Sequence, residues 1–292
     1  MMSGEAIKRR MAPAGVPASA PVQEVLIEPS HGWASLRLRE LWEFRELLYF
    51  LAWRDIKIRY KQTVLGVAWA LLQPLLTMLL FWLLFGRLAG IKSDDIPYPI
   101  FAFTALVVWS FFANAVTSSS NSLVGSSQLI TKVYFPRMII PLAAVGAGLL
   151  DLIITLPLLA VMGVYYGVEL RWTISIVPVL MLLAMLLAGG VGMWLSALNV
   201  KYRDVRFALP FVVQLWMFAS PIIYPSSMLP TKWRWMLWLN PLTGIIENFR
   251  AALFGRQFDW AALGVSAIIT TSVLIYSAYA FRRVEKGFAD II

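Results

Sequence analysis

Leu75-Leu76-Thr77-Met78-Leu79-Leu80-Phe81-Trp82-Leu83-Leu84 carries no charge and shows no alternation of apolar and polar positions. A membrane β-strand would alternate over about ten residues. A helix crossing the ~30 Å hydrocarbon layer instead needs about 20 apolar residues in a row. The run Leu180-Met181-Leu182-Leu183-Ala184-Met185-Leu186-Leu187 reads the same way. Six such stretches fill the chain, over residues 64–85, 98–116, 138–166, 174–198, 207–224 and 261–281. With 60% hydrophobic and only 14% charged residues, a water-soluble fold would lack its polar shell. The expectation is an all-α, polytopic membrane protein with six transmembrane helices, since lipid leaves backbone groups no partner outside a helix or a closed barrel.

Lys and Arg collect on one side of these stretches. Arg37, Arg39, Arg45, Arg54, Lys57, Arg59 and Lys61 precede the first. Lys132 and Arg137, then Lys201, Arg203 and Arg206, then Arg282, Arg283 and Lys286 follow at alternate seams. The positive-inside rule makes these seams and both termini cytoplasmic. The net charge of +9 is thereby explained by topology and anionic lipid, with no nucleic acid required. Residues 1–30, with Pro13, Pro17, Pro21 and Pro29, read as a disordered tail. They lack the apolar core of a signal peptide. Residues 31–63 form an interface-helix region, 64–286 the six-helix domain and 287–292 a short cytoplasmic tail. Leu41, Phe44, Leu48 and Leu51 recur at helical spacing, which predicts an amphipathic helix along the inner membrane surface. It serves as a membrane anchor or as a docking surface for a partner.

Between the fifth and sixth stretches the chain is apolar but too short to cross. Asn240-Pro241 starts a helix and Gly255 stops it. Trp233, Trp235 and Trp238 precede it. Two short re-entrant or interfacial helices are expected at the outer face. Pro74, Pro210 and Pro221 can each kink a helix.

Chemistry-bearing residues are few. With no Cys, disulfides and thiolate sites are excluded. His31 is the lone His and reads as a surface residue. No metal site is expected. No phosphate-binding loop, G-x-S-x-G or H-E-x-x-H occurs, so no catalytic residue and no cofactor is assigned to the chain. Asp94-Asp95 reads as a solvated turn. Asp151 stands in the middle of a span, where insertion costs at least ~2.5 kcal/mol. It should face other helices or a water-filled cavity, with Gln73, Asn114 and Gln214 as possible neighbours. Ala188, Gly192 and Ser196 form a small-residue stripe for close packing, within the chain or between copies.

Several strings carry a family resemblance. Trp53-Arg54-Asp55-Ile56-Lys57-Ile58-Arg59-Tyr60-Lys61-Gln62-Thr63, with Leu65-Gly66, Trp69 and Pro74 after it, is one. Phe135-Pro136-Arg137, Asn199-Val200-Lys201-Tyr202-Arg203-Asp204-Val205 and Ser220-Pro221-Ile222-Ile223-Tyr224-Pro225 with Asn240-Pro241-Leu242 are the others. In this order, over about residues 31–286, they resemble type-2 ABC exporter permeases of the polysaccharide and O-antigen export branch. The resemblance implies a homodimeric permease in a bacterial cytoplasmic membrane, with two copies of a separate ATPase subunit that binds ATP and Mg. It implies a lipid-linked glycan as substrate, with capsule and teichoic-acid exporters sharing the pattern. Residues 36–61 then look like the helix that packs on the ATPase, and 119–137 like a cytoplasmic coupling helix. Arg54, Asp55, Lys57, Arg59, Lys132 and Arg137 become candidates for ATPase coupling.

Trp109, Phe112, Trp216, Phe218 and Tyr224 are candidates for an aromatic glycan path, and Asn240, Glu247 and Arg250 for its outer gate. Arg203 and Arg206 are candidate contacts for a lipid diphosphate. Two rival classes remain: a membrane-embedded glycosyl- or acyltransferase, which lacks the expected acids, and a gradient-driven carrier, which has Asp151 alone.

Overall fold

The computed structural model describes residues 38–61, 66–169 and 171–285. The tail over 1–30, His31, the 287–292 segment and the link 62–65 lie outside the described residues. All regular structure among the described residues is helical. The order is α1 Leu38–Glu43, α2 Arg45–Lys61, α3 Val67–Phe81, α4 Tyr98–Gly125, α5 Ser127–Lys132, α6 Ile139–Tyr165, α7 Val177–Lys201, α8 Val205–Ala219, α9 Thr231–Trp238, α10 Pro241–Phe254 and α11 Trp260–Glu285. A π-helical turn, Trp82–Leu88, extends α3 and a short 3₁₀ turn, Trp172–Ile176, leads into α7. Five helices are long and apolar enough to cross a membrane: Val67–Leu88, Tyr98–Gly125, Ile139–Tyr165, Trp172–Lys201 and Trp260–Glu285.

The centre is α4. Its most apolar window is 78% buried, against 11% for the first long helix. Ile100 through Val108 are almost wholly enclosed by α6, α7 and α10. Burial between helices in lipid is held by close packing more than by hydrophobic transfer. Gly192 on α7 shows how close. A Cβ there would sit 2.6 Å from the Ser119 Cβ on α4, a distance no side chain can occupy. The stripe Ala188, Gly192 and Ser196 is fully used inside the chain, since Ala188 and Ser196 are buried too.

The fifth apolar stretch differs from expectation. α8 ends at Ala219 and is only 15 residues long, about 22 Å of rise. Ser220 is extended (φ −101°, ψ 149°), as the residue before a proline should be. The non-helical Ser220–Tyr224 segment continues in the same direction along α4. The Trp216 ring meets Phe112 edge-on at 5.0 Å, halfway along α4. The Ile223 carbonyl accepts a 2.9 Å hydrogen bond from the Tyr98 hydroxyl at the start of α4. Tyr98 and Phe112 are about 21 Å apart along the helix.

The second stretch also runs further than 98–116. α4 continues to Gly125, so only Ser127–Lys132 of the expected 119–137 coupling segment is a separate helix.

The face of α2 expected to meet lipid is covered by protein. Leu51 is buried with Ile130, Phe135, Ile139 and Phe281, and Leu41, Phe44 and Leu48 pack on the same cluster. A Cβ at Gly146 would lie 3.9 Å from that of Ala52, while Arg59 reaches Asp151. α2 therefore climbs α6 in parallel, side against side.

Candidate functional site

Asp151 lies near the middle of α6 and is not alone there. Arg59, in the last turn of α2, donates from Nη1 to Asp151 Oδ2 at 2.5 Å and from Nη2 to Ser118 Oγ on α4 at 3.0 Å. Tyr60 donates its hydroxyl to Asp151 Oδ1. Burial first, and then the bond to Asp151, push the Tyr60 phenol well above its ordinary value, so it remains a donor. One carboxylate thus takes a cation and a phenol from α2, and Arg59 also ties in α4. The acid expected to bond across helices does so, with a partner distant in sequence.

Beside this junction is an open-sided cavity of about 730 Å³ lined by residues of α2, α3, α4 and α6. Gln73 and Asn114 line it with Asp151, as expected. Gln214 stands apart on the exposed side of α8. Tyr60 and Ser118 were not anticipated as site residues. Tyr60 falls within the diagnostic string around Arg59, and a lone acid in a span calls for a cation near the membrane boundary.

Of the other coupling candidates, Arg54, Lys57 and Lys132 are exposed and Asp55 is half-buried. Arg54 pairs with its neighbour Asp55 at 2.9 Å and reaches Ser126 Oγ at 3.5 Å. Lys57 sits over the Trp53 ring at 5.5 Å, and Lys132 is exposed. Arg137 is fastened instead to the end of α11, its backbone N–H to Glu285 Oε1 at 2.8 Å and its guanidinium to the Glu285 carbonyl at 2.5 Å. Arg203 and Arg206 are exposed at the head of α8.

The aromatic candidates separate into two groups. Trp109 and Phe112 are enclosed, at 6% and 0% exposure, so within this chain they form wall rather than lining. Burial on the central helix accounts for it. Phe218 is exposed, and Trp216 and Tyr224 are half-buried. Trp216 Nε1 donates to Asn240 Oδ1 at 2.9 Å. The same oxygen accepts from the Leu242 N–H at 3.1 Å, the N-cap expected for α10. Asn240 Nδ2 bonds Ser220 Oγ at 2.8 Å. At the other end of α10, Gly255 takes the left-handed conformation (φ 63°), the expected stop.

Arg250 is the anchor of this end. It is 2% exposed and donates to the carbonyls of Pro221 at 2.6 Å, Ile222 at 3.1 Å and Phe101 at 3.3 Å. Glu247 accepts from it at 3.2 Å, and its guanidinium carbon lies 3.6 Å from the Phe101 ring centre. The backbone of 221–223 has left the helix and lost its ladder. Arg250 and Tyr98 supply the donors it lacks, as buried backbone carbonyls require. Glu247 and Arg250, expected at a gate, form a structural clasp. Asp94 is also held, by Arg256 and by Ser227 Oγ at 2.7 Å, where a solvated turn was expected.

A chain of packed apolar helices, five of them long enough to cross a membrane, is a multi-pass membrane protein. Residues 46–254 match the ABC-2 type transporter family, and the chain belongs to it. It is 30% identical over 259 residues to a Myxococcus xanthus protein named O-antigen export system permease protein RfbA, covering 87% of this chain and 98% of that one. A Klebsiella pneumoniae protein of the same name is 28% identical over 249 residues, 85% of this chain and 95% of its own. The Escherichia coli polysialic acid transport protein KpsM is 25% identical over 250 residues, 80% and 92% of the two chains.

Proposed function

We propose that this chain is the membrane subunit of an ABC transporter that exports a lipid-linked, O-antigen-like polysaccharide across a bacterial cytoplasmic membrane. Two copies form the permease, and two copies of a separate ATPase, holding ATP and Mg, drive it. The observation that carries this reading is the similarity to O-antigen export permeases along almost their whole length. The lower identity to the polysialic acid proteins puts a capsule glycan second.

The proposed layout has six crossings and both termini in the cytoplasm. The fifth crossing is α8 completed by its extended continuation. α9 and α10 then return at the outer face. Arg54, Asp55, Lys57 and Lys132 would face the ATPase. A push on α2 would pass through Arg59 and Tyr60 to α6, because a charged pair shielded from water resists separation. Arg203 and Arg206, exposed at the inner end of α8, suit the diphosphate of the lipid carrier.

Co-reconstitution tests the reading. The purified chain alone should hydrolyse no ATP. With its ATPase partner it should, and cells lacking the chain should retain lipid-linked glycan on the inner leaflet. ATP hydrolysis by the isolated chain, or normal surface glycan without it, would overturn the proposal.

A further inference from the structure

The cavity beside the Arg59–Asp151 pair holds more polarity than the junction needs. Its 730 Å³ lies in the range of about 300–1,000 Å³ typical of small-molecule sites, and gives room for roughly twenty waters. Gln73 on α3 and Ser110, Asn114 and Thr117 on α4 line it. Among the described residues their side chains make no hydrogen bond. At the flank of membrane-crossing helices such groups are costly unless something with donors and acceptors meets them.

The charge in the cavity is balanced. Arg59 is matched by Asp151 at 2.5 Å, and among the described residues no other ionisable group except the protonated Tyr60 lines it. An anion would gain the guanidinium only against the carboxylate beside it. The site therefore selects a neutral ligand with several hydroxyls. Trp69, 53% exposed and in the same wall, adds an aromatic face of the kind that covers the apolar side of a ring. We infer that this cavity binds a neutral sugar ring, presented as the head of a membrane lipid. Each copy of the chain would carry its own site, flanked by the helix that the ATPase is proposed to push. The choice of a lipid-borne sugar rests on the export reading; the sugar chemistry rests on the cavity alone.

The native absence of Cys makes the test direct. Ala70→Cys places a thiol in the cavity wall, and Thr117→Cys, half-buried on the α4 side of the same wall, is a second reporter should the first disturb folding. Full-length chain in phosphatidylcholine nanodiscs is treated with N-ethylmaleimide in the presence of octyl β-glucoside below its micellar concentration, free glucose, or octyl phosphate. Octyl glucoside should slow labelling severalfold and octyl phosphate should not. Asn114→Ala or Trp69→Ala should raise the half-protecting concentration about tenfold, the loss expected for one good contact. Protection by glucose at equal concentration upholds the sugar site and makes a free saccharide its source. Absence of protection by either sugar, equal protection by octyl phosphate, or protection indifferent to both substitutions overturns it. The assay involves no ATP and no export, so its failure leaves the export reading standing, and failure of export leaves a positive labelling result standing.

Discussion

Arg59 and Asp151, 92 residues apart in sequence, are joined at 2.5 Å between the last turn of α2 and the middle of α6. The pair lets a polar helix outside the spans grip the interior of one. Its Asp side chain is 13% exposed and its Arg side chain 32%, so it is shielded more than a surface bridge and less than a core pair.

Removing one partner should therefore cost more than an exposed bridge would. Asp151→Leu leaves Arg59 and the Tyr60 hydroxyl without their acceptor and should destabilise the folded chain by about 3 kcal/mol. Asp151→Asn keeps an acceptor and should cost less than half of that. The exchange Arg59→Asp with Asp151→Arg should recover part of the loss. Thermal unfolding in detergent, followed by fluorescence-detected gel filtration, orders the four chains. In the reconstituted complex, Asp151→Leu should also uncouple glycan export from ATP hydrolysis.

Arg250 makes the stronger prediction. Three backbone carbonyls, of Pro221, Ile222 and Phe101, accept from one guanidinium, and the first two lie in backbone that has left the helix. Arg250→Lys keeps the charge but cannot span all three with a fork. It should loosen the 220–224 segment, and Arg250→Met should loosen it further, each unsatisfied buried carbonyl costing about 1–3 kcal/mol. An Ile222→Cys reporter, buried at 0% exposure in the native chain, should then label quickly. Unchanged labelling in Arg250→Met would remove the clasp from the account.

These two residues show what the sequence made legible and what it did not. The five long helices follow from apolar length, and the ends of α10 from Asn240, Pro241 and Gly255, because both signals are local. The end of α8 was also local. Pro221 disfavours the helical conformation at Ser220, but the mostly apolar run to Tyr224 hides the break behind hydropathy. The partner of Asp151 and the acceptors of Arg250 depend on which helices become neighbours, so neither is encoded at short range. Trp109 and Phe112 were indistinguishable from path-lining aromatics until α4 proved central.

Asn240 closes a small network with one side chain. It caps α10 through Leu242, accepts from Trp216 and donates to Ser220. Asn240→Ala loses the cap and strands the Trp216 N–H, and should lower stability by about 1–2 kcal/mol. Asn240→Asp keeps the oxygen and should recover most of the cap while losing the bond to Ser220. Trp216 emission should shift to longer wavelength in Asn240→Ala relative to a Trp216→Phe blank, since its indole then turns from a protein acceptor to water.

Gly192 tests the packing at the centre of the fold. Its missing Cβ leaves room for Ser119, whose own Cβ would be 2.6 Å away and whose Oγ 2.5 Å away. Rotating the Ser119 hydroxyl relieves only the second contact. Gly192→Ala must therefore push α7 from α4, at a cost of about 1–3 kcal/mol. Ser119→Gly alone opens a void and should cost less. If the clash is the cause, the double variant Ser119→Gly with Gly192→Ala restores complementarity and melts above Gly192→Ala alone. Simple addition of the two losses in that cycle would show instead that the glycine is needed for something other than this contact.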